Sequence, residues 1–411
     1  MIVAIAKETS AGETRVALTP TAAAALVKNK LEVLIESGAG SAAGFEDAAY
    51  IAKGAKVTDR RTVLASADIL LQVRVSPPER QDDYALLKPA CVVIGFCDPL
   101  GSPKEIAQIA TRGLSLISME LIPRITRAQS MDALSSQANL AGYKAVIMAA
   151  EASPRIFPMM MTAAGTIAPA KVFVVGAGVA GLQAIATAKR LGAVVSAFDV
   201  RAAVKEQVQS VGAKFVELAL ETGDAQDKGG YAKAISQDMQ RKQAELMAKV
   251  VAESDVVITT AAVPGKPAPK LIFAPAVEKM QPGSVIVDLA AERGGNCELT
   301  VPGKTIVHDG VTIIGHLNIA ATVPYHASAM YANNLVKLVA VLVDKDGKLN
   351  LDVTDEVIAG CLVCHRGEVV QPQVRQALGM PITPTDKPAP APAATGDGHA
   401  TNQAAIAGGT R

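Results

Sequence analysis

KVFVVGAGVAGLQAIATAKRLGAVVSAFDVR, Lys171 to Arg201, decides the fold of this chain. An apolar run ends at Gly176, and Gly178 and Gly181 complete the pattern G-x-G-x-x-G. A helix-forming stretch follows, then a second apolar run that ends in Asp199, eighteen residues beyond the last glycine. Each piece has a physical task. Gly176 permits the tight turn, Gly178 has no side chain to hold off a pyrophosphate, and Gly181 lets helix pack on strand. The helix N-terminus then turns backbone amides toward the phosphates, with Val179 opening that helix. The Asp199 carboxylate, with Val200 beside it, can accept hydrogen bonds from ribose hydroxyls and would repel a 2′-phosphate, which favours NAD over NADP. Arg201 reads as a surface charge, or as a partner for adenine or for Asp199. Three glycines alone would fit any tight turn; strand, helix, second strand and acid in this order predict a dinucleotide-binding unit.

The rhythm of that unit extends in both directions. Before it come the candidate strands IVAIAKE, EVLIES, ADILLQVRV, ACVVIGFC and GLSLISME, separated by amphipathic segments such as TPTAAAALVKNK. After it come SDVVITTA, GSVIVDLA and VTIIGHL. Alternating β-branched and Ala-rich segments predict α/β architecture with parallel sheets. A helix over roughly Ser130 to Glu151 bridges the two sets, and YHASAMYANNLVKLVAVLVD reads as a second long helix that returns to the first. The expected organisation is two Rossmann-like domains joined by long helices: a discontinuous first domain of residues 1–135 and 325–382, and a dinucleotide domain of 136–324. From residue 383 the Pro/Ala-rich text lacks periodicity and predicts a flexible tail.

A chain of 411 residues, half of them hydrophobic, is long enough to fill two cores. Forty Lys and Arg against 39 Asp and Glu leave a net charge of +1, so no basic field is available for nucleic acid. Lys7 interrupts the N-terminal apolar run too early for a secretory signal, and no window is long and apolar enough to span a membrane. A cytoplasmic location is expected. The five cysteines read as reduced thiols. CLVCH, Cys361 to His365, matches a haem-attachment pattern, but the ordinary reading is a turn beside a helix. His308, His316, His326 and His399 show no metal-ligand spacing, and Met159, Met160 and Met161 read as core filler.

KETSAGETRVALTP (Lys7–Pro20), RITRAQSMDALSSQANLAGYKAV, the glycine fingerprint and DLAAERGGN (Asp288–Asn296) together resemble the alanine dehydrogenase and nicotinamide nucleotide transhydrogenase family over nearly the whole chain, to about residue 382. Within that family the likeness is to the NAD(H)-binding domain I of proton-translocating transhydrogenases. Alanine dehydrogenases hold the keto acid with an arginine at the position of Arg15 and a lysine, a histidine and an aspartate where this chain has Arg74, Asp98 and Glu292. Three changes in four argue against amino-acid oxidation.

By resemblance to the transhydrogenase pattern R-x(4)-Q-x(2)-D-x(2)-S, Arg124, Asp132 and Ser135 are expected around the NAD(H) nicotinamide, and Gln129 toward NADP(H) on a partner. Arg127 has no place in that pattern, and a surface ion pair is expected for it. ETGDAQDKGGYAKAISQDMQ resembles the mobile loop of domain I, which brings Gly230 and Tyr231 over bound nucleotide. The resemblance implies direct hydride transfer between NADH and NADP⁺, coupled to proton translocation through other chains. It implies a homodimer, partnered by an NADP(H)-binding domain III subunit and a membrane-spanning domain II subunit, and peripheral to the inner membrane.

Overall fold

The computed structural model describes residues 1–75, 81–217, 237–263, 265–344 and 346–381. The mobile-loop candidates Gly230 and Tyr231, and the expected tail, lie outside the described residues. In chain order the strands are β1 (Ile2–Ile5), β2 (Glu32–Glu36), β3 (Lys56–Thr58), β4 (Ile69–Arg74), β5 (Val92–Phe96) and β6 (Ser115–Ser118). A hairpin, β7 (Met160–Thr162) and β8 (Gly165–Ile167), precedes β9 (Lys171–Val175) and β10 (Val194–Phe198). Then come β11 (Lys214–Phe215), β12 (Val256–Thr259), β13 (Val285–Asp288), β14 (Thr305–His308), β15 (Val311–Ile314), β16 (Leu362–His365) and β17 (Glu368–Val369).

These strands build two large sheets, ordered β17-β16-β6-β5-β4-β1-β2-β3 and β11-β10-β9-β12-β13-β15-β14. From β6 to β3, and from β11 to β15, all pairings are parallel. The first sheet takes strands from both ends of the described chain, because β16 adds antiparallel to β6 and β17 to β16. Each sheet is covered on both faces, as a parallel sheet requires. In the second, Val172, Val174, Val256, Ile258, Val285 and Val287 fill one core, while Phe173, Val175, Val257 and Ile286 fill the other. The period of two along each strand therefore survives although both faces are apolar.

The helix Ala133–Ala152 passes from one core to another: Ala133 packs in the first sheet's core, and Ala145, Val146 and Ala149 in the second's. It begins later than the sequence suggested, since Thr126–Met131 forms a 3₁₀ segment and Asp132 caps the helix. The helix Pro324–Leu342 packs Tyr331, Leu335, Leu338, Val339 and Leu342 into the first core.

Two expectations need correction. Met159, Met160 and Met161 are not core filler; they are 59%, 45% and 72% exposed at the start of the β7–β8 hairpin, with Ile156 and Ile167 exposed beside them. A two-stranded hairpin has no second layer to bury its side chains against. Nor is CLVCH a turn. Cys361 ends a helix and Leu362–His365 is β16; Cys361 and Cys364 are buried in cores on opposite faces of the first sheet and cannot clasp one group between them.

Candidate functional site

The glycine turn sits at the carboxyl end of β9, in the middle of the second sheet, where strand order reverses and α/β sheets leave a crevice. Gly176 adopts φ +95°, in the left-handed region. A Cβ on Gly181 would stand 1.9 Å from the Gly176 carbonyl oxygen, so only glycine lets the helix Val179–Arg190 start this close to the strand. At Gly178, by contrast, an added Cβ meets nothing within 4 Å among the described residues. Among the described residues, no side chain caps that helix. The turn thus offers open space in front of uncapped helix amides, and it fits a pyrophosphate.

Asp199, just past β10, is brought to this turn. Its carboxylate accepts from the Ala177 amide at 2.7 Å, and Arg201 covers it, donating from the backbone amide (2.9 Å), Nε (2.9 Å) and Nη2 (2.8 Å). Arg201 is therefore the partner of Asp199, one of the readings its sequence left open; the pairing raises the Arg201 pKa against the opposing effect of burial. Val179 is 40% exposed at the helix start, and Val200 is half-buried beside the acid.

The polar segment lies at the other end of the bridging helix. Asp132 accepts from the Ser135 amide (2.9 Å) and the Ser135 hydroxyl (2.6 Å), an N-cap that explains both residues locally. Gln129 is exposed on the 3₁₀ platform in front of them and Arg124 is exposed two residues before it begins, with Ala128 and Met131 buried beneath. Three residues, Asn334, Arg127 and Gln137, hold this platform and the helix start behind it. Asn334 donates to the Ser130 carbonyl at 2.8 Å and accepts from the Ser136 hydroxyl at 2.7 Å. Arg127 makes the expected ion pair, a bidentate one at 2.8 and 2.6 Å, with Asp355. Gln137, buried, accepts from Arg15 Nη1 and donates to the Ala327 carbonyl.

One helix relates the two clusters. At Gly142 it crosses Val179–Arg190 so tightly that a Cβ would be 2.1 Å from the Ala180 carbonyl oxygen. Seven residues of helix separate Gly142 from Ser135, roughly 10 Å at 1.5 Å per residue.

A third group lines the seam between the sheets. Arg15, 4% exposed, donates from Nε and Nη2 to both oxygens of Glu13, at 2.8 and 2.7 Å, and from Nη2 to Asn318 at 3.0 Å. Burial alone would raise the Glu13 carboxyl, but Arg15 and Asn318 hold it below the usual range. Arg74 reaches Glu13 at 3.4 Å and Glu292 at 3.1 Å, and Asp98 pairs with Arg293 at 2.5 Å. The turn carrying Glu292 and Arg293 is scaffolded by Asp288, fully buried, which accepts from Thr259, Ala290, Cys297 and Thr300. Sequence reasoning missed Glu13, Gln137, Gly142, Asn318 and Asn334. Polar residues and a glycine inside otherwise apolar helices were the available signal for Gln137, Gly142 and Asn334; Glu13 and Asn318 carried none.

Two domain families cover this architecture: Alanine dehydrogenase/PNT, N-terminal domain, matches residues 4–141, and Alanine dehydrogenase/PNT, C-terminal domain, matches residues 145–372. The chain belongs to the alanine dehydrogenase/PNT family. Within it, the chain is 48% identical over 379 residues to the first part of the NAD(P) transhydrogenase subunit alpha of Rhodospirillum rubrum, covering 90% of this chain and 98% of that one. To the alanine dehydrogenase of Bacillus subtilis it is 26% identical over 395 residues, covering 94% and 97%. A transhydrogenase structure from Sinorhizobium meliloti superposes with a TM-score of 0.81 at 47% identity, covering 90% of this chain and all of that one. The fold of the family is thus shared by both branches, and the higher identity is to transhydrogenase subunits. Among the described residues, no helix is long and apolar enough to cross a membrane.

Proposed function

We propose that this chain is the NAD(H)-binding subunit of a proton-translocating transhydrogenase. The nucleotide it would bind supplies a hydride, exchanged directly with NADP(H) held on a partner domain III subunit, while a membrane-spanning domain II subunit carries the coupled proton. The observation that carries the reading is the placement of two clusters on one helix: the open Gly178 turn against its middle, and Asp132 and Ser135 at its N-terminus.

In this reading, the amides after Gly178 bind the pyrophosphate and Asp199 takes the ribose hydroxyls, sharing its oxygens with Arg201. Arg124, Asp132 and Ser135 orient the nicotinamide end, and Gln129, exposed on the platform, reaches the partner's NADP(H). These are positioning groups, which is what hydride exchange between two rings needs: near-attack geometry and exclusion of water, with no proton to move between the rings. Oxidising an amine would need a tuned base beside the nicotinamide. The positions where an amino-acid substrate would be held instead carry Arg74 and Asp98, paired with Glu292 and Arg293.

The exposed hairpin with Met159, Met160, Met161 and Ile167 supports a homodimer, since such an apolar projection is suited to being covered by a second copy. The expected location is the cytoplasmic face of the inner membrane, reached through the partner subunits. The deciding experiment assays the purified chain for alanine oxidation, and then for hydride transfer from NADH to an NADP⁺ analogue with a domain III subunit added. Alanine turnover near the ~10 s⁻¹ typical of enzymes would overturn the proposal.

A further inference from the structure

Glu292 and Arg293 are consecutive residues of opposite charge on one 3₁₀ turn of the second sheet's domain, and each meets its opposite on the first. Arg74, which ends β4, takes Glu292; Asp98, just past the neighbouring strand β5, takes Arg293. The seam is built for this meeting. Asp98 and Asn318 both stand at positive φ, +45° and +52°, a conformation that costs free energy for residues with a side chain. Hydrogen bonds fix both backbones: the Asp98 amide donates to Glu120 at 2.7 Å, and the Asn318 amide to Glu292 at 2.8 Å. Two glycines leave room for the approach. A Cβ on Gly101 would lie 2.2 Å from Asp98 Oδ2 and 2.8 Å from Arg293 Nη1, and one on Gly265 would lie 2.7 Å from the Leu100 Cβ.

We infer that the Asp98–Arg293 and Arg74–Glu292 pairs are positioning residues that hold the two domains closed at a fixed separation. The inference rests on the reading of this chain as a hydride donor. The glycine turn belongs to the second sheet and the Arg124–Ser135 platform packs on the first core, so a dinucleotide gripped at one end reaches its orienting groups across the seam. The helix Ala133–Ala152, which belongs to both cores, is one fixed point between the domains, and the paired charges are another. Partly exposed pairs contribute little to global stability, yet they bias a balance between two domain arrangements, where small differences suffice. Alternating sign along the turn also sets register: shifted by one residue, like charges would face each other.

The test uses the full chain in four forms: parent, Arg293→Asp, the charge swap Asp98→Arg with Arg293→Asp, and Gly101→Ala. The last keeps all four charges, and its methyl displaces the Asp98 carboxylate from the pair. Small-angle X-ray scattering and hydrogen exchange with NADH bound should show Arg293→Asp and Gly101→Ala more open, with faster exchange over residues 96–101 and 290–296, and the swap returned to parent. Single-turnover transfer from saturating NADH to an NADP⁺-loaded domain III subunit should fall roughly ten- to a hundredfold in the two open variants, the scale of an ångström's misplacement, and recover in the swap. NADH affinity should fall by much less than the transfer rate in the open variants, because the pyrophosphate grip stays whole on one domain while only the groups at the nicotinamide end are displaced. Unchanged scattering and exchange in both open variants, or a swap that does not recover, overturns the inference. Should the parent itself transfer no hydride, the donor reading fails, while scattering and exchange still decide the seam.

Discussion

Gly142 lies so close to Ala180 that a Cβ on it would be 2.1 Å from the Ala180 carbonyl oxygen and 3.0 Å from its Cα. Both neighbours are backbone atoms, which cannot rotate away. In an open helix, Gly→Ala would stabilise by ~0.5–1 kcal/mol. Here Gly142→Ala should destabilise by roughly 1–3 kcal/mol, the range for overpacking. Because this crossing also sets the glycine turn against the bridging helix, NADH affinity should fall with stability. Denaturant unfolding and NADH titration check both; a more stable variant would mean that the two helices are not in this contact.

Asp199→Ala should weaken NADH binding by roughly 1–3 kcal/mol, since the ribose hydroxyls lose a charged acceptor. Arg201→Ala provides the contrast. It uncovers the carboxylate without removing it, so NADH affinity should hold or rise while NADPH stays excluded. Equal NADH affinity in parent and Asp199→Ala would remove Asp199 from the site.

Asp132 serves the helix whether or not it serves a ligand, and two variants separate these roles. Asparagine also caps, so Asp132→Asn should keep thermal stability close to parent, whereas Asp132→Ala should cost ~0.5–2 kcal/mol. Under the proposed function Asp132→Asn still weakens NADH binding. If only Asp132→Ala is affected, and only in stability, the residue is a cap and nothing more.

Gln129 is exposed and its loss should leave both fold and NADH affinity near parent. Its expected effect is on transfer alone, by up to about a hundredfold in the reconstituted complex, because the two rings lose their alignment. Stopped-flow transfer beside NADH titration reads the difference, and parallel losses in both would reassign the residue.

Burial pushes the Glu120 carboxyl above the ordinary range, against hydrogen bonds from Ser118 and the Asp98 amide that favour its charged form. The folded state therefore favours the protonated acid. Its contribution to stability is fully present below the ordinary carboxylate pKa and is lost as pH rises through the folded-state value. Thermal melts from about pH 4 to 8 should show Glu120→Gln less dependent on pH than the parent, with the variant gaining relative stability toward the alkaline end. A parallel pair of curves would contradict this.

Much of the architecture was legible because the buried parallel strands carry their own signal. The apolar runs at β1, β2, β4, β5 and β6, and at β9, β10, β12, β13 and β15, are buried on both faces and need no partner to be recognised. The glycine turn was legible for a similar reason: what Gly176 and Gly181 do is local to strand, turn and helix. The strands β3, β7, β8, β11, β14, β16 and β17 are two or three residues long, antiparallel or at edges, and pairing rather than composition makes them strands. Residues 361–365 show this most plainly, since only the free edge of β6 turns the cysteine motif into a strand. In the candidate site, Asp199 was legible by type and spacing, whereas Asp132 and Ser135 were picked out only by resemblance to the transhydrogenase pattern. The structure decided that Arg201 covers Asp199 and that Asp132 caps a helix through Ser135, both contacts local in the chain. It also set Arg74 and Asp98 against Glu292 and Arg293, residues about two hundred positions apart in the chain. A side chain's identity fixes which hydrogen bonds and charges it can offer; which partner stands 3 Å away depends on how distant strands end beside one another, and local pattern does not encode that.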